Sequence, residues 1–160
     1  MSGQWKAKAI RESTVGIRIA KSLAASVTAN IFKVYGRVRI NLLMGQVTTA
    51  EASGATVIKL TMATSTVDLC ADTTVTGDAI GTMYFLCGDK AVILNGTGNT
   101  PVIDVGSALA AAGGTNPVIV GREATADTLD LTASTPSATL VIKWVAFYVP
   151  LDDGAYLEAA

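Results

Sequence analysis

The side chains here that could move a proton or hold a cation are carboxylates. Asp68, Asp72, Asp78, Asp89, Asp104, Asp127, Asp130, Asp152 and Asp153 are spread along the chain, and histidine is absent. Without histidine there is no Ser-His or Cys-His nucleophile pair, and the commonest general base and metal ligand are both missing. Two carboxylates facing each other across a cleft would suit glycoside hydrolysis. These aspartates instead stand singly beside Thr and Gly, as solvated turn and edge residues do. Asp152-Asp153-Gly154 offers oxygen ligands for a calcium ion but lacks the further spaced carboxylates of an EF-hand loop. Cys70 and Cys87 close two similar runs, VDLC and YFLC. Two cysteines make neither a four-cysteine zinc site nor a disulfide framework, and they read as buried, unpaired thiols of a reducing compartment, with a disulfide between neighbouring strands as the alternative. NGTGNTP (95–101) lacks the lysine of a phosphate loop and the GxGxxG spacing, so it reads as a turn, as does CGDK (87–90). No enzyme, cofactor or metal is predicted.

What remains is charge placed for contact. Residues 1–39 carry eight basic side chains and one acidic, net +7; residues 40–160 carry four and twelve, net −8. The start, MSGQWKAKAIREST, holds only Trp5 and Ile10 as large apolar groups. It reads as an extended docking arm (1–14), with Trp5 and Ile10 as anchors and Lys6, Lys8 and Arg11 drawn to an acidic surface. Arg37 and Arg39, on one strand face beside Tyr35, would also suit a nucleic-acid groove. The acidic remainder of the chain would repel phosphate, so an acidic protein neighbour is the expected partner rather than nucleic acid. No continuous apolar segment follows the charges, so the start does not read as a signal peptide, and no run approaches the ~18 apolar residues of a membrane helix.

The elements that must position these groups are strands. The dominant period is two. In VYGRVRINLLMG, Val34, Gly36, Val38, Ile40, Leu42 and Met44 fall on one face; in ATVIKLTMA, Thr56, Ile58, Leu60 and Met62 do. VGIRIA, ANIFKVY, VDLCA, TMYFLCG, AVILN, PVIDVG, PVIVGR and TLDLTA are further short runs rich in Val, Ile and Thr, separated by turn chemistry such as ASGA, TGDAIG and GGTNP. SALAAAGG (107–114) reads as a loop or single turn. This pattern predicts an all-β fold: a single β-sandwich or barrel of roughly eight to ten short antiparallel strands over residues 15–160. At 160 residues one domain is expected, long enough to fold without a metal or disulfide.

The closing run, ATLVIKWVAFYVPLDDGAYLEAA, is apolar on both faces. Leu140, Ile142, Trp144, Ala146 and Tyr148 make one face; Val141, Lys143, Val145, Phe147 and Val149 make the other. A sheet wetted on one side should alternate apolar with polar, and only Lys143 does. Only 16% of the chain is charged, against a typical ~25%. Two readings fit: a central strand covered on its second face by loops or a second sheet of the same chain, or apolar surface buried against another subunit, with Val145, Phe147 and Val149 as a homo-oligomer interface and a trimer the first expectation. Pro150 ends the ladder, and the acidic turn is expected to lead the chain out to solvent.

The stretches LLMGQVTTA (42–50), TVDLCADTTVTGDAIGTMYFLCGD (66–89) and IKWVAFYVPLDDGAYLEAA (142–160) together resemble small β-rich structural proteins of tailed-bacteriophage virions. The resemblance spans most of residues 34–160 and rests on β pattern, Thr/Ala/Gly richness and the turn after a Trp-containing last strand. It implies a capsid decoration or cement protein, or another head or tail component, assembled in the host cytoplasm, that binds the major capsid protein or other virion subunits. The other function the β pattern allows is a carbohydrate-binding tail or fibre module.

Overall fold

Short Val-, Ile- and Thr-rich runs prefer a pleated surface with one side covered, and in the computed structural model they form eleven strands among the described residues. Those residues are 3–25, 28–51, 55–86, 117–123, 125–137 and 139–160. Helix α1 (Gly3–Thr14) comes first. Strands β1 (Ile17–Ala24), β2 (Thr28–Tyr35), β3 (Val38–Thr49), β4 (Val57–Met62), β5 (Val67–Asp68), β6 (Thr73–Thr74) and β7 (Met83–Phe85) follow. Then come β8 (Val118–Val120), β9 (Asp127–Ala133), β10 (Val141–Pro150) and β11 (Tyr156–Ala159). The predicted runs AVILN and PVIDVG, the SALAAAGG turn, CGDK and NGTGNTP lie outside the described residues.

Two antiparallel sheets make a sandwich. Sheet A runs β1-β10-β3-β7, with β8 also on β3; sheet B runs β11-β2-β9-β4-β5, with β6 also on β4. The core between them takes Ile40, Leu43, Ile142, Trp144 and Tyr148 from sheet A, and Phe32, Val34, Ile58, Leu60, Leu129 and Leu131 from sheet B. Trp144 is fully buried, and Gly45 lies opposite it on β3. A methyl group on Gly45 would sit 2.9 Å from the indole ring, so the missing side chain is what admits the tryptophan.

Three local readings change. The run VYGRVRINLLMG is two strands, because Gly36 turns the chain at positive φ (67°) between β2 and β3. Within β3 the pairing skips Asn41, so Phe147 faces Leu42 while Tyr148 faces Ile40. Such a bulge reverses which alternate residues point inward; Ile40 and Leu43 are both buried, whereas Leu42 and Met44 turn to the outer face. Third, the arm expected to be extended is helical. Gln4, Lys6, Ala7, Lys8, Ala9, Arg11 and Glu12 are good helix formers, Lys8 Nζ lies 3.7 Å from Glu12 Oε1 one turn on, and Arg11 sits in the last turn, where the helix dipole favours a cation. The hydroxyls of Ser13 and Thr14 both donate to the Ile10 carbonyl. Gly16, at φ 106°, ends the helix; its N–H donates to the Glu12 carbonyl at 3.1 Å.

The acidic turn does not lead to solvent. After Pro150 pairs with Val38, the Leu151 N–H donates to the Arg37 carbonyl, and the Asp152 carboxylate accepts from the Arg37 backbone N–H at 2.8 Å. Arg37 Nη2 and Nε add bonds of 2.6 and 3.0 Å to Asp152 Oδ1. The turn carries the chain across the sandwich, and β11 then joins sheet B against β2. Among the described residues β1 is one edge of sheet A, with β7 and β8 at the other. On the β1 edge Lys21, half-buried, occupies a core-side position opposite Trp144.

Candidate association face

The predicted docking residues sit on α1. Lys6, Lys8, Ile10 and Arg11 are exposed, Ile10 by 66%. Trp5 is also on the helix, and its side chain lies outside the described residues. At 3.6 residues per turn, positions 5 and 10 stand about 140° apart round the axis. Deleting residues 2–12 is expected to remove the helical part of the far-ultraviolet circular dichroism and leave the β signal and the melting transition in place. A large drop in melting temperature would instead make α1 part of the folded core.

The predicted interface residues fall on the outer face of sheet A, and their exposure differs. Val145 is already 93% covered within the single chain, being 7% exposed, while Phe147 and Val149 are half-buried. The register extends the patch. Val145 lies opposite Met44 and Phe147 opposite Leu42 on β3; on β1, Ala20 and Arg18 take the matching positions. Lys143 lies opposite Gln46, and Arg39 lies between Val149 and Ile119. The centre is apolar and the rim cationic. A small cleft of about 200 Å³ opens here, floored by Met44, Met83 and Val145 and edged by Arg18, Lys143 and Gln46.

The charge asymmetry along the sequence becomes an asymmetry between sheets. The five strands of sheet A carry Arg18, Lys21, Arg39 and Lys143 and no acidic residue; those of sheet B carry Lys33 and Lys59 against Asp68, Asp127, Asp130 and Glu158. Lys59 and Asp68 are paired at 3.1 Å. Nothing in the periodicity flagged Arg18, Leu42 and Met44 as parts of one patch, because a bulge and a strand crossover bring them together. The absence of acids from each sheet A run was the readable signal.

The carboxylates are not uniformly solvated, as their sequence context suggested. Asp78, Asp127 and Asp130 are buried. Asp78 accepts a short bond from the Tyr84 hydroxyl, and burial, then that bond, pushes the Tyr84 phenol upward. A cleft of about 440 Å³ lies beside the acidic turn, between Tyr35, Glu123, Asp152 and Asp153. Asp152 is committed there to Arg37, whose side-chain bonds hold the carboxyl below its usual range. Among the described residues no three acidic or cysteine side chains gather as metal ligands would. Cys70 is a free, buried thiol that accepts from the Leu60 N–H at 3.3 Å, and burial pushes it up to about 11. Cys87 lies outside the described residues. No helix among them is long and apolar enough to cross a membrane.

The fold and face define an all-β sandwich with one cationic, apolar-centred sheet. No protein-family model matches the chain, and neither does any curated protein or solved structure. The likeness to phage virion proteins therefore rests on the sequence echoes alone.

Proposed function

We propose that the protein is a non-enzymatic structural subunit that works by association, binding and stabilising a phage capsid shell in the manner of a decoration or cement protein. The observation that carries this reading is the outer face of sheet A, where Phe147, Leu42 and Met44, all half-buried, form an apolar centre around the already covered Val145 on a two-sheet body. A sheet face meant only for water would be polar at these positions. Many modest contacts repeated by symmetry hold a shell without any one of them being strong. The sequence echoes supply the virion context.

The test is attachment. Particles assembled without the protein should take it up, and particle imaging should show added density at the shell surface. Phe147 is half-buried already, so covering the rest contributes roughly 1 kcal/mol per contact. Phe147→Asp also places a charge in the covered centre, and it is expected to weaken uptake by about tenfold while the circular dichroism stays that of the wild type. Failure of the wild type to attach would sink the reading.

A carbohydrate-binding module is the second reading, and one observation favours it. Tyr35 and Tyr156 stack with centroids 4.5 Å apart beside the larger cleft, and Tyr156 is 44% exposed. The rings spend one face on each other, and the Asp152 carboxylate is closed by Arg37, which leaves little of the cleft's polar lining for a sugar.

A further inference from the structure

We infer that the outer face of sheet A takes an acidic protein surface that brings apolar side chains of its own, and that it is not a contact between two copies of this chain. The inference rests on the association role just proposed for that face and adds the chemistry of the partner.

The argument starts from the cations. Arg18, Arg39 and Lys143 are exposed around the apolar centre. Arg39 donates from Nε to the neutral Asn41 at 3.0 Å, and among the described residues no ion pair reaches any of the three. The cleft bounded by Arg18 and Lys143 has an apolar floor and room for one side chain. At the other end of the face, Ile119, 63% exposed, stands beside Arg39. A central apolar patch inside a charged rim is the layout of an interface in which the rim selects the partner and the centre holds it. Here the rim has one sign only, so the partner it selects is acidic.

A second copy does not fit. Stacking sheet A on its own image would set Arg18, Arg39 and Lys143 against the same three cations while excluding water, and like charges brought together this way oppose association. Stacking it on the outer face of sheet B would bring Asp130 and Glu158 toward the cations, but Glu158 already stands opposite Lys33 and Asp68 is paired to Lys59, so the acidic surface offered is small. Phe147 and Leu42 would meet a face that carries Thr128, Thr132 and Lys33. Nucleic acid fits less well than protein, because most of its contacts are to phosphate and sugar and would leave the apolar centre uncovered.

The experiment uses the full chain and a labelled synthetic peptide of alternating glutamate and leucine. Its controls are a lysine–leucine peptide, polyglutamate and a DNA duplex. The glutamate–leucine peptide is expected to bind best, and more weakly as salt rises past the point where the Debye length falls below ~8 Å. Arg18→Glu combined with Arg39→Glu should lower that affinity by about tenfold or more, and Phe147→Ala should lower it as well. Both arginines are exposed, so matching circular dichroism and melting will establish that the double variant is folded. Sedimentation at micromolar concentration should give a monomer. Equal binding by the charge-reversed variant, or tighter binding of the DNA than of the peptide, would overturn the inference. So would a wild-type oligomer that Phe147→Asp dissociates, although association through this face would survive that result. Binding of the peptide without attachment to shells would have the opposite meaning: the partner chemistry would stand and the virion role would fall.

Discussion

Trp144→Ala is expected to cost about 3–5 kcal/mol, the usual range for emptying a fully buried large aromatic site. That is a large part of the 5–15 kcal/mol by which a domain is stable. Trp144 has no exposed surface, and β10 sits centrally between β1 and β3, so neighbouring strands cannot close the hole without breaking ladders on both sides. Gly45 makes collapse harder still, since it offers no side chain to move in. Trp144→Phe should cost much less than alanine. The indole Nε1–H has no hydrogen-bond partner among the described residues, and phenylalanine removes that orphaned donor along with part of the ring. Urea unfolding followed by circular dichroism is the measurement, with the midpoint falling and the slope unchanged. A loss below about 1 kcal/mol for the alanine variant would mean that the indole is not seated against Gly45 as described.

Asp127 and Asp130 should respond to substitution with opposite signs, though they are three residues apart on one strand and both buried. Burial alone would push the Asp127 carboxyl up. The Ser65 hydroxyl and the Thr64 and Thr128 amides, bonded at 2.7–2.8 Å, outweigh burial and hold it below the usual range. Asp130, in contrast, is pushed up by burial and then by the Asp127 charge, and its Oδ1 has no partner among the described residues. Asp127→Ala is therefore expected to cost about 2–3 kcal/mol at neutral pH, the size of a hydrogen bond to a charged group. A depressed pKa stabilises the fold above the unfolded value of ~3.9, and this contribution fades as pH falls through the folded pKa. Asp130→Asn is expected to stabilise on the order of 1 kcal/mol at neutral pH. Its gain shrinks once pH falls below the raised folded pKa and is gone below ~3.9, where wild-type Asp130 is neutral in both states. Melting temperatures of both variants across pH 3–7 will show the two trends diverging; a stabilised Asp127→Ala or a destabilised Asp130→Asn would contradict these environments.

What was legible in the sequence was whatever depends on one strand at a time. The alternation of Ile58, Leu60 and Met62 in β4 needed no neighbour to be seen, and the all-β sandwich follows from many such runs. The misreadings came where two segments decide together. The bulge at Asn41 is set by pairing with β10, so Leu42 and Met44 were assigned to the wrong side. Asp127 and Asp130 read as surface residues because their burial comes from strands distant in sequence. The PLDDGA turn read as an exit because its clamp, Arg37, lies 115 residues earlier. Helix α1 was missed for a different reason: its signal is helix propensity rather than periodicity, with no continuous apolar stripe to mark it. The association face was half legible. The apolar outer positions of β10 stood out, while its cationic rim depends on which strands flank it.

Lys21 has a consequence for the chain at high concentration. An open edge strand is a template, and copies held at high density would tend to zip together edge to edge and grow as fibres. Lys21 lies on the core side of that edge. A second strand closing over β1 would seal its ammonium away from water with no counter-charge, a steep penalty for backbone pairing. The same lysine leaves contacts through side-chain surfaces untouched. Lys21 thus guards the β1 edge against pairing at high concentration, and that guard is the property that a Lys21→Val exchange would take away.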